Sequence, residues 1–282
     1  MSSEPNDAPT GNEIGSVRAT CSSRSDRTPD GRIGAQGQGW PPQPVGKIGV
    51  GKFQVCKTTL LLITLMLLTA CDGGRERTNV LTGDGQREVT VMDFSAPFSL
   101  DPLPAGWYHR TFWTRGPMQM VFAVKDGVPA LRFETSSTAS MLFRHVDLDL
   151  ADYQFLIWRW YIEESIESPL DEHTREGDDH PARLFLVFRM AAGEERRMEI
   201  IWGNKLKAGD YKYIGGFPHY VADGGSENIR QWRTAEVDLR EVYRHIWPDG
   251  APAHLIDIAI FCDSDETHGN TVSYFADVKL RR

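Results

Sequence analysis

Gly177-Asp178-Asp179-His180-Pro181-Ala182-Arg183-Leu184-Phe185-Leu186-Val187-Phe188 decides how the rest of this chain reads. A polar, acidic loop runs straight into a segment apolar on both faces, the pattern of an interior strand beneath a functional rim. Ile256-Asp257-Ile258-Ala259-Ile260-Phe261-Cys262-Asp263-Ser264-Asp265 repeats it: a buried strand ends in acidic residues.

Working outward, short strand signals separated by turn residues recur from Val89 onward. The pattern predicts strands at 89–94, 107–113, 119–124, 129–134, 141–147, 153–162, 182–190, 197–202, 231–237, 255–262 and 271–280. Asp126-Gly127 between two apolar runs is a hairpin signal. In 153–162, Leu156, Trp158, Trp160 and Ile162 share one face, and the opposite face is also apolar, which predicts a central strand. The stretch 165–180 reads as a long acidic loop, and the Gly-rich 209–225 as irregular. One short helix is expected at 239–246, with Asp238 as N-cap and Pro248 just beyond its end. These elements specify an all-β chain: an antiparallel β-sandwich of jelly-roll type with one short helix near the C-terminus. The strand–helix alternation of an α/β fold is missing.

Residues 1–50 are rich in Gly, Pro, Ser and Asn and cannot bury enough surface to order themselves. Residues 51–71 read as a signal peptide: Lys52 and Lys57, then thirteen mostly apolar residues, 58–70, then Cys71. Thirteen residues span only ~20 Å as a helix, short of a ~30 Å bilayer core. Leu68-Thr69-Ala70-Cys71 resembles the bacterial lipobox, which implies a lipid on Cys71 and a domain held at the cell envelope, facing the periplasm. Asp72 after the cysteine favours the inner membrane. A signal peptide behind fifty polar residues is out of place, so translation from near Val50 is expected. Residues 72–88 then form a flexible tether to a sandwich domain at 89–282.

The 282-residue chain carries a net charge of −8. Through Cys71 lie seven of the 31 Lys and Arg and five of the 39 Asp and Glu, which leaves 24 against 34 and a net charge of −10 beyond it. That balance argues against nucleic acid or anionic lipid as a ligand and suits neutral ligands or cations. The eight His lack zinc spacing, and no nucleophile elbow, P-loop or dinucleotide fingerprint occurs. Cys262, alone on an apolar strand, is expected to be inert.

Four sets of residues are candidates for function. Trp158, Trp160, Trp202 and Trp232 are either an aromatic platform for sugar rings or core; Trp202, followed by Gly203-Asn204-Lys205 at a strand end, is the ligand candidate. Asp178, Asp179 and Arg183 either line a polar ligand site or pin the loop through an ion pair of Arg183 with Asp179 or Asp263, since a buried guanidinium must be paired. Asp263 and Asp265 extend that rim; Asp179 with either is a candidate hydrolytic pair. Asp93 and Asp277, on the first and last strands, are candidate ligands for calcium.

Ile157-Trp158-Arg159-Trp160, Gly177-Asp178-Asp179 with Ala182-Arg183-Leu184, Trp232, and Asp263-Ser264-Asp265-Glu266-Thr267 together resemble the domain-of-unknown-function family 3047, over about Phe94 to Leu280. Members carry a longer aspartate-rich run ending in Asn-Thr at the last motif, from which this chain departs. The resemblance implies export and a sandwich reminiscent of carbohydrate-binding modules, and it assigns no catalytic residues. Three functions follow as expectations: binding of a carbohydrate or other envelope component without chemistry, a carbohydrate-active hydrolase or lyase, or a scaffold for an envelope complex.

Overall fold

Along Phe155–Glu164 the side chains of Leu156, Trp158, Trp160 and Ile162 are fully buried, and those of Phe155, Ile157 and Arg159 only half so. This period of two makes the segment a strand with its indoles turned into a core. The computed structural model of the protein describes residues 77–95, 99–250 and 254–282. Residues 1–50, the segment 51–71 with Cys71, and 72–76 lie outside the described residues.

Fourteen strands are described. They are β1 (Leu81–Thr82), β2 (Glu88–Met92), β3 (Trp107–Thr111), β4 (Gln119–Lys125), β5 (Val128–Ser136), β6 (Ser140–Asp149), β7 (Phe155–Glu164), β8 (Arg183–Arg189), β9 (Glu195–Gly203), β10 (Tyr211–Ile214), β11 (Phe217–Gly224), β12 (Arg233–Asp238), β13 (His254–Phe261) and β14 (Asn270–Arg281). One sheet has the order β1-β6-β13-β8-β9-β11-β10, with β3 also paired to β6. The other has the order β12-β7-β14-β5-β4, with β2 also paired to β14. Most pairs are antiparallel, as expected for a jelly-roll-like sandwich, but β1 with β6 and β9 with β11 are parallel.

The two inner faces form one core. Trp160 of β7 packs edge-on against Trp158 at 5.1 Å between ring centroids, and against Trp202 of β9 at 5.5 Å, which joins the two sheets. Edge-to-face pairs of this kind add about 0.5–1.5 kcal/mol each beyond the area they bury.

The single α-helix, α1 (Leu239–Ile246), starts where its cap predicts: Asp238 accepts from the amides of Arg240 and Glu241. The Asp126-Gly127 turn has φ of 51° and 77° and closes the β4–β5 hairpin.

Two expectations are corrected. The stretch 209–225 is not irregular: β10 and β11 form a hairpin in which Ile214 pairs with Phe217 across Gly215-Gly216, whose φ values are 58° and 83°. A two-residue loop with both φ positive matches the strand twist, and Gly-Gly meets that demand. The tether reading also fails from residue 77 on. Thr82 of β1 pairs with Asp147, and the Tyr153 hydroxyl donates to the carbonyls of Gly83 and Gln86 at 2.9 and 2.8 Å.

Candidate functional site

On β8, Leu184, Leu186 and Phe188 turn inward, so Arg183, Phe185 and Val187 face away from the core. Arg183 lies opposite Phe261 of β13 and Ile201 of β9; Glu199 lies opposite Phe185 and His219; His219 lies opposite Lys212 of β10. Pairing across four adjacent strands thus collects Arg183, Glu199, His219 and Lys212 on the outer face of the larger sheet. The loop before β8 adds Asp178, Asp179 and His180. It turns at Gly177, where a Cβ would come within 2.3 Å of the Asp171 carbonyl oxygen, so that close approach requires glycine. The loop after β13 adds Asp263, Asp265 and Glu266.

Arg183 is buried and uses all five guanidinium N–H groups. Nε donates to Glu199 Oε2 at 2.6 Å; Nη1 donates to the Asp178 carbonyl at 2.8 Å and to Asp263; Nη2 donates to Asp178 Oδ1 at 3.1 Å and to His219 Nε2 at 3.2 Å. Lys212 is equally saturated: its ammonium donates to Asp178 Oδ1 at 2.5 Å, His180 Nε2 at 2.7 Å and the Glu172 carbonyl at 2.8 Å.

These contacts fix both imidazoles. Nδ1–H of His180 donates to the Trp202 carbonyl at 2.8 Å and Nδ1–H of His219 to the Phe217 carbonyl at 3.1 Å, which leaves each Nε2 as an acceptor for a cation. Burial, reinforced by Lys212 and Arg183, lowers His180 to about 3 and His219 to about 2. Burial opposes ionisation of Asp178, but the Arg183 guanidinium beside it outweighs that and holds its carboxyl far below the usual range. Burial raises Glu199 and lowers Lys212. Taking these charges out of water is costly, and pairing returns much of that only while every partner stays in place.

Asp179 is engaged differently from Arg183's partners. Its carboxylate accepts from the Thr267 amide and hydroxyl, both at 2.6 Å, and from the Glu266 amide at 3.3 Å. Arg115 Nε meets Asp265 Oδ2 at 2.6 Å and its Nη2 meets Glu266 Oε1 at 3.3 Å. Burial, with Asp179 and Asp265 alongside, pushes Glu266 up to about 8, so it keeps its proton at neutral pH. Oxygens of Asp179, Asp263, Asp265 and Glu266 lie within 4.8 Å of one another, and among the described residues this is the group that could hold a metal ion.

Above these groups opens a cavity of about 360 Å³, walled by Asp178, Arg183, Glu199, Glu266, Phe217 and Phe261. It shares Met141 with a depression of about 250 Å³ that contains Phe143 and Phe185, which in turn shares Arg110 and Phe143 with one of about 740 Å³ at Tyr108 and His145. The result is one trough across the outer face of the sheet. Its half-buried rings pair as Tyr108–Phe143 at 5.3 Å and Phe185–Phe217 at 5.9 Å, both stacked. A depression of about 790 Å³ between 163–169 and Lys205–Arg230 is larger, but no aromatic ring and no buried charged group lines it.

Of the residues expected from sequence, Asp178, Asp179, Arg183, Asp263 and Asp265 come together here, and Arg183 is paired with Asp263 as one of the two structural readings had it. Trp202 does not join them. Its side chain is 0% exposed in the core, because the alternation of β9 turns it inward with Met198 and Ile200. Trp158 and Trp160 are core as well, while Trp232 is half-buried on the smaller sheet and donates Nε1–H to the Lys125 carbonyl at 3.1 Å. Asp93 and Asp277 each neighbour a member of the Met92–Val278 pair, but Asp277 is taken by Arg159 and Asp93 accepts from the Ser95 amide at 2.8 Å. Two carboxylates so engaged fall short of calcium's six to eight oxygens. Sequence reading missed His180, Glu199, Lys212, His219 and Glu266. Only Glu199, a lone charge in the run Met198-Glu199-Ile200-Ile201, carries a local signal.

No curated protein matches the chain. Among solved structures it is similar to the family 30 carbohydrate-binding module of the cellulosomal cellulase Cel9D-Cel44B of Clostridium thermocellum, at 12% identity and TM-score 0.39, covering 68% of this chain and 96% of that one. It is also similar to a non-crystalline-cellulose-specific module, CBM28, at 13% identity and TM-score 0.37, covering 69% and 94%. A mannan-recognising module, TmCBM27, matches at 13% identity and TM-score 0.31, covering 70% and 99%. Residues 105–279, which include every strand that builds the trough, match the family described as "Protein of unknown function (DUF3047)", and the chain belongs to that family.

Proposed function

We propose that the protein binds a carbohydrate, without chemistry, in the trough on the outer face of its larger sheet. The observation that carries this reading is the trough itself: a continuous row of half-buried rings, Tyr108, Phe143, Phe185 and Phe217, that ends in a cavity lined by hydrogen-bonding carboxyl groups. Sugar rings present an apolar C–H face to stack on such rings and hydroxyls to donate to such carboxylates. A lipid on Cys71 would hold the domain at the membrane, facing the periplasm; the intact mass of the mature protein would reveal it.

Hydrolysis by Asp179 with Asp263 or Asp265 fits the geometry less well. Glycosidase carboxyl groups flank the scissile bond at roughly 5 Å or more. Here Asp179, Asp263 and Asp265 are buried, and Thr267, Arg183 and Arg115 hold them in turn.

The test is isothermal titration of the full chain with neutral, amine-bearing and acidic oligosaccharides. Saturable heat with one class, absent with the others, supports the reading; no heat with any class overturns it.

A further inference from the structure

Trp113 is 102% exposed, whereas the other described tryptophans are buried or half-buried. Leaving an indole in water forgoes roughly 2–3 kcal/mol of burial. Its position argues for a use: its neighbours Phe112, Thr114 and Arg115 all line the 360 Å³ cavity. The turn that carries it is anchored on both sides. Arg115 N–H donates to the Phe112 carbonyl at 3.2 Å, and the Arg115 side chain binds Asp265 and Glu266. Beyond it, Ala139 N–H donates to the Gly116 carbonyl at 3.1 Å and Met118 N–H to Ser140 Oγ at 3.0 Å. The exposed ring is therefore carried by a fixed turn whose neighbouring residues line the cavity.

The cavity's chemistry limits what can enter. Five carboxyl groups face it, from Asp178, Glu199, Asp263, Asp265 and Glu266, against the guanidiniums of Arg183 and Arg115. Arg183 has no N–H left to offer, and Arg115 is bound to two of the acids. A ligand that donates hydrogen bonds fits these carboxyl groups, whereas an anionic one meets a lining of carboxyl oxygens whose cations are already engaged.

We propose that Trp113 is the ring-covering residue of this cavity, stacking on the apolar face of a sugar unit that is neutral or carries an amine, and that uronates and phosphorylated sugars are excluded. This rests on the carbohydrate reading above and adds to it the covering residue and the charge class of the ligand.

The experiment follows intrinsic tryptophan fluorescence of the full chain during titration with cellohexaose, glucosamine hexamer and hexagalacturonate. The expected result is a blue shift and reduced acrylamide quenching with one of the first two, and none with hexagalacturonate. W113A should weaken that binding tenfold or more at an unchanged thermal midpoint, and W113F should restore part of it. Affinity of W113A within twofold of the parent, or unchanged emission at saturation, overturns the role of Trp113 and leaves the trough reading intact. Binding of hexagalacturonate in preference to the other two overturns the charge class. No binding of any of the three overturns this inference together with the reading beneath it.

Discussion

His219 Nε2 accepts a hydrogen bond from Arg183 Nη2 at 3.2 Å, so a buried imidazole serves a buried guanidinium as a neutral acceptor. His180 does the same for Lys212. Protonating either ring would set a charge against a cation.

With folded values of about 3 and 2, both rings stay neutral where the unfolded chain, near 6.5, takes up protons. Stability is therefore lost as pH falls below 6.5, by about 1.4 kcal/mol per pH unit for each ring. Glu266, raised to about 8 from 4.5, has the opposite sign: stability falls as pH rises from 4.5 to 8, by about 1.4 kcal/mol per unit. Below 6.5 the two rings outweigh Glu266, and above it Glu266 opposes them without their counterweight, so these three groups together favour a stability maximum near pH 6.5. Urea midpoints measured from pH 5 to 9 check this, and E266Q should flatten the upper limb. A midpoint that climbs steadily to pH 9 would refute it.

Replacing Arg183 with Met should cost about 3–5 kcal/mol, because Asp178, Glu199 and Asp263 lose the cation that compensates their burial. R183K should recover only part, since a compact ammonium with three donors cannot serve five acceptors. Denaturant unfolding of both variants measures the difference; an R183M chain as stable as the parent would show the network to be dispensable.

Removing the Phe185 ring from the trough should weaken oligosaccharide binding roughly two- to tenfold, the value of one aromatic contact. Phe185 is half-buried and its partner Phe217 is on the same open face, so F185A should leave the fold intact. Titration calorimetry alongside circular dichroism separates the two effects. Undiminished affinity would remove Phe185 from the binding surface.

The acid group of Asp179, Asp263, Asp265 and Glu266 is already compensated by Arg115, Arg183 and a retained proton. EDTA should consequently leave the thermal midpoint unchanged at neutral pH. A drop that calcium reverses would put an ion in this group and release Arg115 from it.

Period-two alternation made the sandwich legible from sequence. Leu156, Trp158, Trp160 and Ile162 announce the inner face of β7, Asp238 announces α1, and Asp126-Gly127 announces a hairpin, because each rests on local backbone geometry. The Gly215-Gly216 hairpin was equally local, yet the surrounding glycines and Pro218 hid the strands it joins. At the site, local signals placed Asp178, Asp179, Arg183, Asp263 and Asp265 on strand ends and rims.

The sequence by itself determined that Arg183 must be paired, since a guanidinium on an apolar strand cannot stay buried alone. Only the tertiary structure decided the partners. Glu199, His219 and Lys212 arrive from neighbouring strands through sheet register, and His180 and Asp263 arrive from loops that meet above them. Register also turned Trp202 into the core. Pairing between strands is set by long-range packing, and no local spacing along the chain encodes it.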